Sequence, residues 1–408
     1  MPKQPLVVLW TAAILAMQCT RDFSVEPSPH QVRELTPLEK RLSDTGNQFG
    51  LKLFAELARQ EEGRNVFFSP LSVAMALGMA FNGAAGTTEQ AFRQTLQLGE
   101  LSTEEINSSF RSLIELLTQL DPSVTMEIAN SVWYRLGFYV EPEFVRLNST
   151  YFGAQVQALN FDLPGAPATI NAWVKDKTHG RIASIVDRID PLTMLYLINA
   201  IYFKGTWTRK FDPNRTQDDL FTASDGSQMP CRMMAQEGEF SYFENEDVQA
   251  VDLPYGNRMF SMVVLLPKSG VSLDALVVGL DAEKWSRWIG LFATRKGLLQ
   301  LPKFKLEYEA GLKPALSALG LAEAFTDTAN FTRINPQGNL YISEVKHKSF
   351  VEVDEKGTEA AAATAVVIGV TSVDPSLFVM RVDRPFLFAI RDRHSGTVLF
   401  IGKVVKLA

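Results

Sequence analysis

The sequence predicts an α+β fold. Helical apolar spacing is confined to the first third of the chain, strand-like runs dominate the rest, and no internal repeat joins the two. The chain has 408 residues, 46% hydrophobic and 21% charged, enough for a sizeable core and far from a disordered composition. Length alone suggests two or three domains. The net charge of −6 argues against a nucleic-acid partner, which would bring a basic stripe.

In chain order, Met1-Pro2-Lys3 is a short charged start and Pro5 to Met17 an apolar run of signal-peptide length, too short to span a bilayer. Residues 1–19 are therefore expected to be a signal peptide and the protein secreted. A buried N-terminal helix is the alternative. The cleavage site stays open, and a periplasmic or lipid-anchored form at Cys19 would want a small residue where Gln18 stands. Once the signal is removed, Cys231 is the lone cysteine and no intrachain disulfide can form. Residues 20–44, with Pro27, Pro29 and Pro37, read as a flexible lead-in to a domain over 45–408.

Phe49, Leu53, Phe54 and Leu57 then recur at helical spacing, and a second helix is expected over Leu71–Phe81. Ser102 and Glu105 form a capping-box pattern ahead of Phe110, Leu113 and Leu117. Strands are expected over Tyr196–Phe203, Met259–Leu266, Phe386–Ile390 and Thr397–Val405, the last two forming a buried hairpin around the polar turn Arg393-His394-Ser395-Gly396. The four sequon asparagines are Asn107, Asn148, Asn214 and Asn330.

Catalytic chemistry has little support. His30, His179, His347 and His394 belong to no HExxH helix, and there is no CxxC pair, GxSxG elbow, GxGxxG turn or phosphate-binding loop. Neither a metal, a cofactor nor an enzyme is expected.

The most informative stretch runs from Glu355 to Ala365, followed by VVIGVTSVDPSLF. Its alanines favour a helix, whereas Gly357 before them and Thr364, Val366, Val367, Ile368 and Val370 after them favour a strand. At a two-residue period one face carries Thr358, Ala360, Ala362, Thr364, Val366 and Ile368, uncharged and small at its start. The other carries Glu359, Ala361, Ala363, Ala365, Val367 and Gly369. Such a segment can slide into a sheet interior, while Thr371 to Ser376 suits an exposed loop tip. The residues describe a loop able to become a strand.

Together with three other blocks, this stretch resembles the serpin family over about residues 45–408. The blocks are Asn65-Val66-Phe67-Phe68-Ser69-Pro70-Leu71-Ser72, Leu197-Ile198-Asn199-Ala200-Ile201-Tyr202-Phe203-Lys204-Gly205-Thr206-Trp207 and Val382-Asp383-Arg384-Pro385-Phe386. The resemblance implies one metastable domain of three β-sheets, eight or nine helices and a reactive-centre loop over about 357–384. It also implies a monomer that traps serine proteases as acyl-enzymes by inserting the cut loop into its large sheet. The hinge would be Gly357, Thr358, Glu359, Ala360, Ala361, Ala362 and Ala363. Trp207, Lys303 and Glu355 would surround its point of insertion, with Lys303 and Glu355 paired. Ser69, Ser72, Asn199 and His347 would form a polar cluster under the sheet.

Family spacing from Gly357 puts the cut bond at Thr371-Ser372, with Val370-Thr371 as runner-up; the chain from there to Pro385 is a few residues longer than usual. Counting back from Pro385 would favour Asp374-Pro375, a poor substrate bond. A small β-branched residue at the cut suits elastase-like or subtilisin-like proteases. No basic patch suggests a heparin site. The alternative function, a carrier, chaperone or storage serpin, usually goes with charged or bulky hinge residues, which this hinge lacks.

Overall fold

A computed structural model describes residues 32–358 and 377–407. The expected signal segment, most of the lead-in, hinge residues Glu359–Ala363 and the bonds at Val370, Thr371 and Ser372 lie outside them. Leu35–Ala408 form one compact unit.

The helices are α1 (Pro37–Gln60), α2 (Pro70–Phe81), α3 (Gly86–Thr95), α4 (Thr103–Gln119) and α5 (Pro142–Phe152). After them come α6 (Ala166–Lys177), α7 (Leu273–Val278), α8 (Ala282–Ile289) and α9 (Lys313–Leu316), nine among the described residues. The first corrects the sequence reading, since residues 37–44 are helical rather than a flexible lead-in. Thr36 caps α1 through Glu39 N–H, Glu39 accepts from Thr36 N–H at 2.7 Å, and Pro37 sits at the first turn, where its missing N–H costs nothing. In α4 the Ser102–Glu105 capping box is present.

The strands are β1 (Val66–Phe68), β2 (Val124–Arg135), β3 (Gln155–Leu159), β4 (Leu195–Thr206) and β5 (Gln217–Thr222). They continue as β6 (Gln228–Glu244), β7 (Val248–Tyr255), β8 (Phe260–Pro267), β9 (Ala293–Pro302) and β10 (Phe304–Gly311). The last are β11 (Lys346–Val353), β12 (Gly357–Thr358), β13 (Phe378–Arg381), β14 (Phe386–Asp392) and β15 (Val398–Val404).

One sheet has the order β10-β11-β12-β4-β2-β3. The other, of nine strands, runs β1-β15-β14-β8-β7-β6-β9-β13, with β5 on β6. The 17-residue β6 joins two strand groups by pairing with β7 through Ser241–Glu244 and with β9 through Met233–Tyr242. Taken separately, those groups and the six-stranded sheet make the three sheets that the resemblance implies. The terminal hairpin is buried on every residue of β14 and β15. Thr397, expected in the last strand, belongs to the turn because its N–H goes to Asp392 Oδ2 at 2.9 Å.

Two sequon asparagines lie in the core. Asn107 and Asn148 are fully buried, and both pair with Asn82 between α2, α4 and α5. A glycan on either is incompatible with this packing.

Candidate functional site

The six-stranded sheet contains a two-residue strand. β12 lies between β11 and β4, with Thr358 opposite Val353 on one side and Gly205 on the other, and Gly357 opposite Thr206. Among the described residues, no backbone ladder joins β11 and β4 directly. Below Thr358 a cavity of about 20 Å³ is lined by both strands. Ile201, Phe203 and Val351 border it on the inner face, Tyr202 and Phe350 on the outer, so it runs through the plane of the sheet.

The chain enters β12 through a tight turn over Asp354–Gly357. Asp354 Oδ1 accepts from Lys356 N–H at 2.8 Å and Gly357 N–H at 3.2 Å, and Asp354 N–H donates to Gly357 O at 3.0 Å. Burial raises the Asp354 carboxyl above its ordinary range against those two amides. Only glycine fits next, because a Cβ on Gly357 would lie 2.0 Å from the Gly205 carbonyl oxygen. Thr358 is 3% exposed, and its Oγ1 shares a 2.5 Å hydrogen bond with Tyr255 Oη. Tyr255 is fully buried, and burial pushes its phenol well up, so it is a neutral partner. Its ring stacks on Trp207 at 4.4 Å and lies close beneath Gly205, where a Cβ would meet it at 2.7 Å.

Trp207 is buried and donates through Nε1 to Asp354 O at 2.9 Å and through its backbone to Lys356 O at 2.8 Å. Lys303 Nζ donates to Glu355 Oε2 at 2.8 Å, and Thr216 Oγ1 donates to Glu355 Oε1 at 2.9 Å. Burial pulls the Glu355 carboxyl up, but the Lys303 ammonium, the backbone and Thr216 outweigh it and hold it below its ordinary value. Trp207, Lys303 and Glu355 thus meet at the turn that precedes the hinge.

The four polar residues under the sheet do not all touch. Ser69 N–H donates to His347 Nε2 at 3.2 Å, and Ser69 Oγ accepts from Ser72 N–H at 3.1 Å, capping α2. His347 is buried, which pulls its imidazole down to about 4 and keeps it neutral. Asn199 turns elsewhere: its Nδ2 donates to Asn130 Oδ1 at 2.7 Å, and its buried Oδ1 has no hydrogen-bond partner. Tyr255, Thr216 and Asp354 were missed in the sequence, and only Asp354, two and three residues before the amides it accepts from, left a local signal.

The next described segment, from Leu377, is held differently. β13 pairs in parallel with β9, Phe378 stacks on Tyr242 at 3.8 Å, and its ring fills the space a Cβ would need at Gly297. Arg381 bridges Asp219 at 2.7 Å and Asp383 at 3.1 Å. Cys231, half-buried, is the one free cysteine among the described residues. Among those residues no cluster suits a metal ion and no helix is long and apolar enough to cross a membrane.

A family profile described as Serpin (serine protease inhibitor) matches residues 44–407. Neuroserpin of Gallus gallus is 35% identical over 373 residues, covering 89% of this chain and 91% of that protein. The native-state structure of the thermophilic serpin tengpin is similar at a TM-score of 0.83 and 32% identity, over 92% of this chain and 96% of that one. Thyroxine-binding globulin in complex with thyroxine has the same fold, at a TM-score of 0.83 and 24% identity, over 90% of this chain and all of that one.

Proposed function

We propose that this chain, which belongs to the serpin family, is a secreted suicide inhibitor of serine proteases whose cut loop inserts between β11 and β4. The observation that carries this reading is β12, two residues already seated between strands that share no other ladder among the described residues. Nothing charged follows Thr358 on its own face before Asp374, and the first residues there, Ala360, Ala362 and Thr364, are small. Each backbone N–H of an inserted strand would find an acceptor on β4 or β11, so insertion trades solvated amides for a paired, buried strand.

In the proposed reaction the protease serine hydroxyl attacks the Thr371 carbonyl. The Thr371–Ser372 amide bond breaks, the serine proton ends on the new Ser372 amine, and Thr371 stays esterified to the protease. Insertion of Glu359 through Ala363 and onward, behind the seated Gly357 and Thr358, must outrun hydrolysis of that ester. A cut at Val370–Thr371 is the runner-up. Thr371 offers a small side chain, which suits an elastase-like or subtilisin-like pocket and gives a trypsin-like carboxylate nothing to pair with. Lys303 and Glu355 fix the turn ahead of the hinge, and His347, Ser69 and Ser72 anchor the sheet against α2.

The test is incubation with a panel of serine proteases followed by denaturing gels. A complex that survives the detergent, with mass spectrometry placing the cut at Thr371–Ser372, is expected with an elastase-like enzyme. Clean cleavage with no stable complex across the panel would instead favour a carrier, a function of the kind that thyroxine-binding globulin, solved in complex with thyroxine, is named for.

A further inference from the structure

Between α4 and β2 lies Asp121, buried, with four donors on its two carboxyl oxygens. Oδ1 accepts from Ser123 N–H at 2.9 Å, Ser123 Oγ at 2.5 Å and Asn257 Nδ2 at 3.1 Å. Oδ2 accepts from Asn257 N–H at 2.8 Å, across 136 residues of chain. Ser123 directly precedes β2, whereas Asn257 belongs to the turn that joins β7 to β8. A buried carboxyl group shared by two segments holds them at one distance, because parting them strands its oxygens and their donors together.

The clamped turn is the one that carries Tyr255. Gly256, between Tyr255 and Asn257, donates its N–H to Thr206 O at 2.8 Å and accepts from Thr208 Oγ1 at 2.8 Å. It has a φ of +47°, and a Cβ there would lie 2.1 Å from Ser123 Oγ, so the turn rests directly on the chain entering β2. Val124, the first residue of β2, lies opposite Gly205, and Gly205 lies opposite Thr358. The Tyr255 ring passes beneath Gly205, and its hydroxyl meets Thr358 Oγ1 at 2.5 Å. One carboxyl group thus ties the strand row that ends at Thr358 to the side chain that supports Thr358 from below. A bond this short tolerates little displacement of the ring.

We infer that Asp121 is a positioning residue for the seat of Thr358: by clamping the Gly256-Asn257 turn to the start of β2, it holds the Tyr255 hydroxyl at bonding distance. Without the clamp β12 is freer to leave the sheet, so insertion starts further back and hydrolysis of the ester gains on it. That second consequence rests on the inhibitory reading above; the seating of Thr358 does not.

The test uses full-length protein and reads hydrogen exchange at the Gly357 and Thr358 amides before any protease is added. Asp121→Asn leaves one acceptor oxygen where two are used, and Tyr255→Phe removes only the hydroxyl that Thr358 meets. Each variant is expected to speed exchange at those amides about fivefold, the worth of one hydrogen bond. The double variant should go no further, because Asp121 works through that hydroxyl. Amides of β14 and β15 should exchange as in the unaltered protein, which a general loss of stability would not allow. Asn257→Ala removes the 3.1 Å bond alone, should give a smaller change of the same sign, and stands in if Asp121→Asn does not fold. Unchanged exchange at Thr358 in Asp121→Asn, or in its stand-in, overturns the inference, and so do additive effects in the double variant. With a protease that gives a stable complex, the excess of the inhibition stoichiometry over one should also rise about fivefold in Asp121→Asn. Faster exchange without that rise overturns the consequence for insertion. Absence of any covalent complex overturns the inhibitory reading and leaves the exchange comparison to decide the positioning.

Discussion

The two described segments that flank the proposed reactive loop are held by different physics. At the leading end Thr358 is seated by two strand pairings and a single hydroxyl–hydroxyl bond to Tyr255, and the next residues on its face are small and uncharged. At the trailing end Phe378 is stacked on Tyr242, four residues pair in parallel with β9, and Arg381 bridges two carboxylates. One end gives a new strand a ready template to extend. The other carries an aromatic anchor whose removal would leave a hole beside Gly297. The proposed insertion, in which one end moves and the other stays, accounts for this division of contacts.

The largest effect should come from Thr358→Arg. Its side chain would enter the buried space shared with Tyr255 and Gly205, and an unpaired buried cation costs several kcal/mol even after relaxation. Since Thr358 is already seated in the intact fold, the arginine is expected to unseat β12, so that insertion must begin by burying it, and each 1.4 kcal/mol of added barrier slows that step about tenfold. The variant should still be cut after Thr371 but turn over as a substrate, raising the inhibition stoichiometry at least about tenfold. Glu359→Arg, on the alternate face, should leave most inhibition intact. Stable complex at unaltered stoichiometry from Thr358→Arg would mean that insertion does not start at β12.

Trp207→Ala and Phe378→Ala compare the two ends directly. Each removes a buried aromatic, a change that typically costs about 3–5 kcal/mol. Trp207→Ala also frees Asp354 O and should change inhibition stoichiometry. Phe378→Ala should lower the melting temperature of the intact protein and leave the stoichiometry within about twofold, because its contacts lie on the nine-stranded sheet. Equal effects on stoichiometry would dissolve the distinction between the ends.

Much of this was legible in the sequence. The amphipathic spacing of Phe49, Leu53, Phe54 and Leu57, the Ser102–Glu105 box and the runs that became β4, β8, β14 and β15 are local patterns, and local hydrogen bonding decides them. Pro37 misled because a proline breaks a helix interior but suits its first turn; Thr36 and Glu39, three apart, carried the missed signal. Tyr255 left no trace, since its bond to Thr358 joins residues 103 apart in the chain and exists only once the sheet has closed. Asn199 stands in a block that resembles the family closely, yet it pairs with Asn130 across the β2–β4 ladder rather than with His347. A motif fixes a residue's place on the strand, and its neighbours choose the bond.

A smaller effect concerns the base of the sheet. His347 titrates near 4 in the fold because burial opposes its charge, against about 6.5 when unfolded, so the native state binds fewer protons. The stability this lends is complete above about pH 6.5 and is lost as the pH falls toward 4, in total about 3 kcal/mol. Denaturant unfolding between pH 7 and 4 should show that loss, and His347→Gln, which keeps an acceptor for Ser69 N–H, should flatten it. The same slope in both proteins would assign the acid sensitivity elsewhere.

The smallest effect is expected from Lys303→Met. Lys303 is 37% exposed in its pair with Glu355, so solvent screens the attraction and the loss of melting stability should stay under about 1 kcal/mol. A change in insertion rate without a change in melting would show that the pair biases the hinge rather than the fold.

Hydrogen exchange along β4 and β11, before and after the loop is cut by a protease that the protein does not trap, tests strand insertion most directly. Insertion predicts that the alternate amides of residues 195–205 and 346–353 that face the gap, and not those already paired with β2 and β10, become strongly protected on cleavage, together with a large rise in melting temperature. Unchanged exchange along both strands, with cleavage verified near Thr371, would contradict it.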